Sequence, residues 1–221
     1  MPRQTSQGTC KLCGKQFGKA AMTRHLDKCQ AENSTGDTTQ KRISRLQVEG
    51  RGNPEYWMHI EIPADASLKA FDSFLRKTWL ECCGHLSAFT IAGQTYDASP
   101  EVDPWTGRKP KGMSAKLGDV LEAGMKFAHE YDFGSTTELA LRVVAERQGA
   151  LKSVQILARN DPPHIPCAEC GKPAAQVCTQ CMYEGPAGWL CEEHAAEHEC
   201  GEDYFLPVIN SPRVGVCGYA G

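Results

Sequence analysis

No stretch of this 221-residue sequence approaches the ~20 consecutive apolar residues that a membrane-spanning helix needs. The first residues, MPRQTSQGTC, hold no apolar signal core, which argues against export. Positive charge is scarce over residues 160–221, with two Lys/Arg against nine Asp/Glu, so this acidic tail would repel phosphate. Acidic charge is scarce over residues 1–45, with three Asp/Glu against nine Lys/Arg, so the head could touch it. Thiols are nearly absent from the long middle of the chain, which holds only Cys82 and Cys83. The remainder of the twelve cysteines lie towards the ends, six of them in Cys-x-x-Cys pairs, with histidines close by. A secreted disulfide framework would fit that count but not that arrangement. The pattern points instead to thiolates holding metal in a reducing cytoplasm.

What is present divides into three parts. The length suits one mid-sized domain with small appended modules, and 41% hydrophobic with 23% charged residues is an ordinary globular balance. Residues 1–30 form a compact Cys/His unit. Residues 31–41, AENSTGDTTQK, are polar and turn-rich and read as a linker. Residues 42–159 carry strand and helix periodicity. Residues 160–166, NDPPHIP, hold three prolines and read as a stiff joint before the Cys/His-rich tail. No internal repeat is visible.

The middle segment reads as α+β. Strands are expected over 43–48, 56–62, 86–92, 126–132, 137–147 and 152–158. The second of these puts Trp57 and His59 on one face and Tyr56, Met58, Ile60 and Ile62 on the other, and Pro63 ends it. Ser67 can cap a helix whose apolar stripe runs Leu68, Phe71, Phe74 and Leu75 toward Trp79. A second short helix is expected around 117–123, because one helix cannot cover a many-stranded sheet. Residues 97–112 read as a long loop.

Residues 10–29 follow the frame Cys10-x2-Cys13-x11-His25-x3-Cys29. Two cysteines in a knuckle, then a histidine and a cysteine one helical turn apart, suit tetrahedral zinc. Phe17 and Met22 stand where a small ββα unit needs its two core side chains. Such a unit cannot bury enough apolar area to fold unaided, so the metal would stabilise it. It resembles a Cys2His2-type zinc finger in its Cys2HisCys variant, with the interval before His25 one residue shorter than usual. The exposed start of its helix would offer Lys19, Thr23 and Arg24.

The tail follows the frame Cys167-x2-Cys170-x7-Cys178-x2-Cys181-x9-Cys191-x2-His194-x3-His198-x-Cys200. Eight candidate ligands suffice for two four-coordinate zinc ions, giving three ions per chain. Four pairs in succession resemble cross-brace modules such as B-box and MYND fingers. That resemblance implies one zinc on Cys167, Cys170, Cys191 and His194, and another on Cys178, Cys181, His198 and Cys200. Two alternatives stay open, sequential pairing and replacement of Cys200 by Cys217. Thiolate-rich, ligand-complete sites are structural rather than catalytic. The acidic residues Glu192, Glu193, Glu197 and Glu199 beside the ligands turn this module away from nucleic acid. Residues 205–219 are apolar and short and are expected to pack back on a domain.

Several phrases of the middle segment occur together: HIEIPADASLKAFDSFLRKTW (59–79), HLSAFTIAGQTY (85–96), Leu117-Gly118-Asp119-Val120-Leu121, and KFAHEYDFGSTTEL (126–139). In this order they resemble the pRiA4b ORF-3-like plasmid protein family, also known as transposon passenger TnpR-like proteins, over about 42–158. The most specific stretch is Tyr131-Asp132-Phe133-Gly134. Members of that family usually carry a tryptophan a few residues beyond this glycine, where this chain has Ser135-Thr136-Thr137. The resemblance implies an α+β domain carried on mobile elements and implies no particular activity. A serine recombinase would need arginines gathered around a nucleophilic serine, and none gather around Ser87, Ser114 or Ser135.

Asp132-Phe133-Gly134 reads best as a turn, with the aspartate bonding its own following backbone. Alternatively, if 126–132 is one strand, Glu130 and Asp132 share a face and could hold a cation or serve as a base, with His129 and His85 nearby. Cys82-Cys83-Gly84-His85 could be a metal or thiol site, though cysteines after a helix are more often small buried hydrophobes. The sequence thus favours a cytoplasmic, non-enzymatic adaptor with a protein partner and no membrane attachment. The alternative partner is nucleic acid, met through residues 1–45 with Lys11, Lys15, Lys19, Arg24, Lys28, Lys41, Arg42 and Arg45 at its centre. A hydrolase or nuclease using Glu130 and Asp132 is the third reading.

Overall fold

A computed structural model describes residues 6–33, 41–102, 107 and 109–221. Most of the expected linker, residues 34–40, lies outside the described residues, as do 103–106 and 108 of the expected loop. The chain begins with a hairpin, β1 (Gln7–Cys10) and β2 (Gln16–Gly18), and a helix α1 (Lys19–Asn33). The middle follows as β3 (Lys41–Gly50), β4 (Trp57–Pro63), α2 (Leu68–Leu75), β5 (Ser87–Ile91), β6 (Gln94–Asp97), β7 (Lys111–Gly112), α3 (Leu117–Val120), β8 (Lys126–Tyr131), β9 (Thr137–Gly149) and β10 (Gln155–Asn160). The tail adds β11 (Gln176–Cys178), β12 (Trp189–Leu190), α4 (Glu192–Ala196) and β13 (Phe205–Pro207).

Ten strands make one sheet in the order β2-β1-β10-β4-β3-β9-β8-β5-β6-β7. Neighbours are antiparallel except the short β6–β7 pair. A second sheet of three short strands, β12-β11-β13, belongs to the tail. A mixed α/β chain with a large sheet and few helices agrees with the α+β expectation. The expected loop at 97–112 is shorter than it reads, because Asp97 ends β6 and Lys111–Gly112 adds a parallel rung beside it. Two residues give too little periodicity to be seen in a sequence.

The main core lies on one face of the sheet. Strand alternation sends Met58, Ile60 and Ile62 of β4, Leu139, Leu141 and Val143 of β9, and Phe127 and Tyr131 of β8 into it. α2 supplies Leu68, Phe71 and Leu75 from one stripe, and a π-helical turn over Arg76–Leu80 carries the stripe on to Trp79 and Leu80. Ser67 caps α2, its Oγ accepting from the Ala70 N–H at 3.1 Å. The buried pair His129–Asp72, at 2.8 Å, joins β8 to α2 inside this layer.

Every residue of β4 is buried, so its other face needs a cover as well. The N-terminal unit supplies it. β1 pairs with β10, extending the large sheet, and α1 lies over Trp57 and His59. Trp57 packs with Cys10, Met22, Leu26, Cys29, Leu157 and Ala158 in a second core. Its indole N–H donates to Ser6 Oγ at 2.7 Å. A Cβ on Gly8 would stand 2.6 Å from the Trp57 ring, so the strand above it must carry glycine there. Glu61, on the same face of β4, is held by both ends of the Arg147 guanidinium at 2.5 and 2.6 Å.

The tail also folds back, as its apolar composition suggests. Val177, Met182, Trp189, Leu206, Val208, Ile209 and Val214 pack on the main core. Asn210 and Asn160 exchange side-chain bonds at 2.7 and 2.9 Å. The head and tail are therefore packed on the middle domain, although the sequence suggests separable parts.

Trp57→Ala is expected to cost about 3–5 kcal/mol in urea unfolding, since it empties the contact between β4 and the N-terminal unit. A loss below about 1 kcal/mol would mean the unit is not seated there. His59 gives a pH test. Burial first, then the Arg45 and Lys19 cations, hold it down to about 4, and its Nδ1 has no partner for a second proton. An unfolded histidine titrates near ~6.5, so this stabilisation is whole above about pH 6.5 and drains away as pH falls toward 4, by about 3 kcal/mol. The wild-type protein should lose that margin over His59→Gln across this window; parallel pH profiles would refute it.

Candidate metal centres

Four Cys/His tetrads are present among the described residues, each with its ligand atoms within 4.8 Å of one another. No cysteine is paired as a disulfide. A tetrahedral zinc with ~2.3 Å bonds to sulfur and ~2.0 Å bonds to nitrogen separates two sulfurs by about 3.8 Å and a sulfur from a nitrogen by about 3.5 Å. The sulfur–sulfur distances found, 3.7–3.9 Å, match, and the sulfur–nitrogen distances, 3.2–3.5 Å, reach that value or fall slightly short of it.

The first tetrad is Cys10, Cys13, His25 and Cys29. Cys10 and Cys29 Sγ stand 3.9 Å apart, and Cys13 Sγ lies 3.2 Å from His25 Nε2. The end of β1 supplies Cys10, the turn after it Cys13, and α1 the last two. Phe17 stacks on the His25 ring at 4.2 Å between centroids, fixing its orientation. Met22 is fully buried as expected, and Leu26 joins it.

The second tetrad is Cys167, Cys170, Cys191 and His194, and the third is Cys178, Cys181, His198 and Cys200. This is the interleaved pairing that the cross-brace resemblance implies, and Cys200 takes its place while Cys217 lies elsewhere. Cys170 and Cys191 Sγ are 3.8 Å apart, and His194 Nδ1 is 3.2 Å from Cys191 and 3.5 Å from Cys167. In the third, Cys181 Sγ lies 3.3 Å from His198 Nε2 and 3.7 Å from Cys200 Sγ. The short strands β11 and β12 tie the two together at their rims.

The first and second tetrads open on the same turn. In each, a Cys-x-x-Cys-Gly-Lys hexapeptide bends so that the first cysteine N–H donates to the lysine carbonyl, at 2.9 Å (Cys10 to Lys15) and 2.7 Å (Cys167 to Lys172). Gly14 and Gly171 take φ of +73° and +72°, which a side chain would resist. The sequence reading finds no internal repeat, because six residues are too few to register as one.

The thiols are perturbed as such crowding requires. The Lys15 backbone N–H holds the Cys13 thiol below its ordinary value. Burial pushes Cys167 up, but the backbone N–H groups of Cys191, Cys170 and Glu169 outweigh it and bring the thiol down to about 6. Burial of Cys178 is likewise outweighed, by the Cys181 and Gln180 N–H groups and the His198 and Cys200 side chains, leaving it at about 7. Their neighbours go the other way. Cys29 is pushed up to about 12, by burial and then by Cys13 and Cys10, and Cys181 to about 12, by Cys200 first. Thiolates this close repel one another, and a dication in their midst removes the conflict. The donor sets thus fit zinc.

The fourth tetrad, Cys82, Cys83, His85 and Cys217, was not among the expected ligand sets. Its signal in the sequence was Cys82-Cys83-Gly84-His85, which lacked a visible fourth donor because Cys217 lies 134 residues from Cys83. Cys83 and Cys217 are exposed and Cys82 is half-buried, which does not suit the expected role of buried hydrophobes.

The carboxylate pair proposed for catalysis is not built. β8 ends at Tyr131, and Asp132 turns to φ +64°, so the alternation that would align it with Glu130 stops one residue short. Asp132 makes the turn instead, its Oδ1 accepting from the Gly134 and Ser135 N–H groups at 3.0 and 3.2 Å. Its Oδ2 receives Arg213 Nη2 at 2.7 Å. Arg213 is fully buried, reaches Ser135 O and Thr137 Oγ1 with its other end, and lies 4.9 Å over the Tyr131 ring. This guanidinium holds the Asp132 carboxyl below its usual value.

The expected phosphate contacts are also partly spent. Arg45 is buried against Asp27 and Gln30, Lys19 pairs with Glu49 at 2.6 Å, Lys41 pairs with Asp65 at 2.7 Å, and Arg42 donates to Gly118 O. Thr23 of the expected reading face turns inward to His59. Lys11, Lys15, Arg24 and Lys28 remain exposed.

Fold and site together define an α+β sheet protein with Cys/His tetrads in its head, its tail and the junction between tail and core. The family model for plasmid pRiA4b ORF-3-like proteins matches residues 42–173, more than half the chain, and the chain belongs to that family. The match runs past the expected limit at 158 and takes in Cys167 and Cys170. Among solved structures, a protein of unknown function from Methanosarcina mazei Go1 is 18% identical with a TM-score of 0.41, covering 54% of this chain and 69% of that chain. No curated protein matches this chain. No helix among the described residues is long and apolar enough to cross a membrane.

Asp132→Asn keeps the turn acceptor and the tolerance for positive φ but strips the charge facing buried Arg213. It should cost about 3 kcal/mol in urea unfolding, and the double variant with Arg213→Met should recover much of that, since no charge is then left buried. A neutral single variant would show that the ion pair does not hold the tail.

Proposed function

We propose that this chain is a zinc-stabilised, non-catalytic binding protein that meets a protein partner through its C-terminal unit. The observation that carries the reading is ligand completeness. The first three tetrads each supply four protein donors, and a catalytic zinc would keep one position for water or substrate. The N-terminal unit would then act as a Cys2HisCys zinc finger and the tail as a cross-brace module. The metal in each replaces a core too small to stand alone.

The surface supports a protein partner. Of the two basic residues after position 159, Arg213 is buried and Lys172 is paired with Glu193 at 2.8 Å. Glu184, Glu192, Glu197, Glu202 and Asp203 are exposed in the same unit as two exposed aromatics, Tyr183 and Tyr204. Exposed tyrosines on a unit rich in one sign of charge suit a basic protein surface. The second reading, nucleic acid at the head, rests on the four exposed cations Lys11, Lys15, Arg24 and Lys28.

Native mass spectrometry of the intact protein should show zinc, and Cys13→Ser should remove one ion while leaving the tail sites loaded. Folded protein without metal would end this reading. Anisotropy with labelled duplex DNA decides between partners. Binding that falls steeply with salt and disappears in Lys15→Glu with Arg24→Glu favours the second reading; no such binding favours the first.

A further inference from the structure

We propose that Cys82, Cys83, His85 and Cys217 form a fourth zinc site, one that fastens the end of the chain to the core domain. Three donors come from the loop after the π-helical turn and the last from the C-terminal segment. His85 Nε2 lies 3.3 Å from Cys83 Sγ and 3.3 Å from Cys217 Sγ, and the two sulfurs are 3.8 Å apart. These three edges lie close to those of a tetrahedron around zinc, about 3.5 and 3.8 Å, and Cys82 Sγ lies within 4.8 Å of all three donors. They are not those of a disulfide, whose sulfurs approach to ~2.05 Å and which has no use for an imidazole between them.

The surroundings hold the donors in place. Tyr131 Oη accepts from the backbone N–H groups of Cys82 and His85 at 3.4 and 3.3 Å, and Glu81 Oε1 accepts from the Gly84 N–H at 2.6 Å. Arg213 Nη2 reaches Cys82 Sγ at 3.4 Å, a donor to a sulfur that carries charge when it binds metal. Asp132 Oδ2 is 3.6 Å from His85 Nε2 but is already taken by Arg213. Cys217 adopts φ +50°, a left-handed conformation unfavourable for a side-chain-bearing residue, and through it the sulfur meets Cys83.

The tail has need of such a tie. After Pro207 it forms no further strand or helix among the described residues, and turns carry it to the end. An ion joining Cys83 to Cys217 closes a loop of 134 residues. It also anchors Arg213 over the Asp132 turn from both sides. This site is distinct from the three on which the binding-protein reading rests.

Native mass spectrometry should therefore count four zinc ions per intact chain. Cys217→Ser and Cys83→Ser should each remove one and leave three. In unmodified zinc-loaded protein, Cys83 and Cys217 should resist alkylation despite their exposure and become reactive when a chelator is added. Three ions in the wild-type chain, an unchanged count in both variants, immediate alkylation of both thiols, or a cystine joining them would each overturn the fourth site while leaving the other three standing. Absence of all metal would remove both proposals.

Discussion

A strand buried on both faces must find an apolar or hydrogen-bonded cover on each side, because neither face can be left to water. β4 is such a strand, and much of the chain is arranged to satisfy it. Its Met58, Ile60 and Ile62 face is closed by α2 and the π-helical turn. Its Trp57, His59 and Glu61 face is closed by the N-terminal hairpin, by α1 and by Arg147. The N-terminal unit is thereby both a Cys/His module and one wall of the domain. This explains why two of the cations expected to meet phosphate are occupied at this seam: Arg45 of β3 and Lys19 of α1 bind the two elements to each other through Asp27 and Glu49.

The same economy appears at the other edge. The Tyr131-Asp132-Phe133-Gly134 stretch is a turn whose aspartate is satisfied twice, by the backbone that follows it and by Arg213 of the tail. Tyr131 lies under that guanidinium and orders the Cys82–His85 loop with its hydroxyl. Beyond the turn, the Ser135 carbonyl and the Thr137 hydroxyl accept from Arg213. The carboxylate most open to a catalytic reading is thus a structural one. An aspartate locked by a buried arginine is poorly placed to act as a base, because the guanidinium favours its charged, proton-free form.

Much was legible beforehand because local chemistry decides it. The Cys-x-x-Cys knuckles, the i, i+4 placement of His25 and Cys29, the Ser67 cap and the alternation in β4 depend on residues a few positions apart. The interleaved order of the tail tetrads was implied by the resemblance to cross-brace modules, and the structure brings those same atoms together. The turn at Asp132 was legible for the same reason, since aspartate and glycine dictate it within four residues.

What the sequence could not decide are the meetings of distant residues. Arg213 with Asp132, Trp57 with Met22 and Leu26, and Cys217 with Cys83 are joined by the path of the backbone, which no spacing records. The sequence by itself determined which residue types could bind metal, cap a helix or turn a strand, because those are short-range properties of side chain and backbone. Only the tertiary structure decided which cations are buried, which carboxylate is spent and which distant thiol meets the loop at Cys82, because burial and partnership are properties of the packed chain.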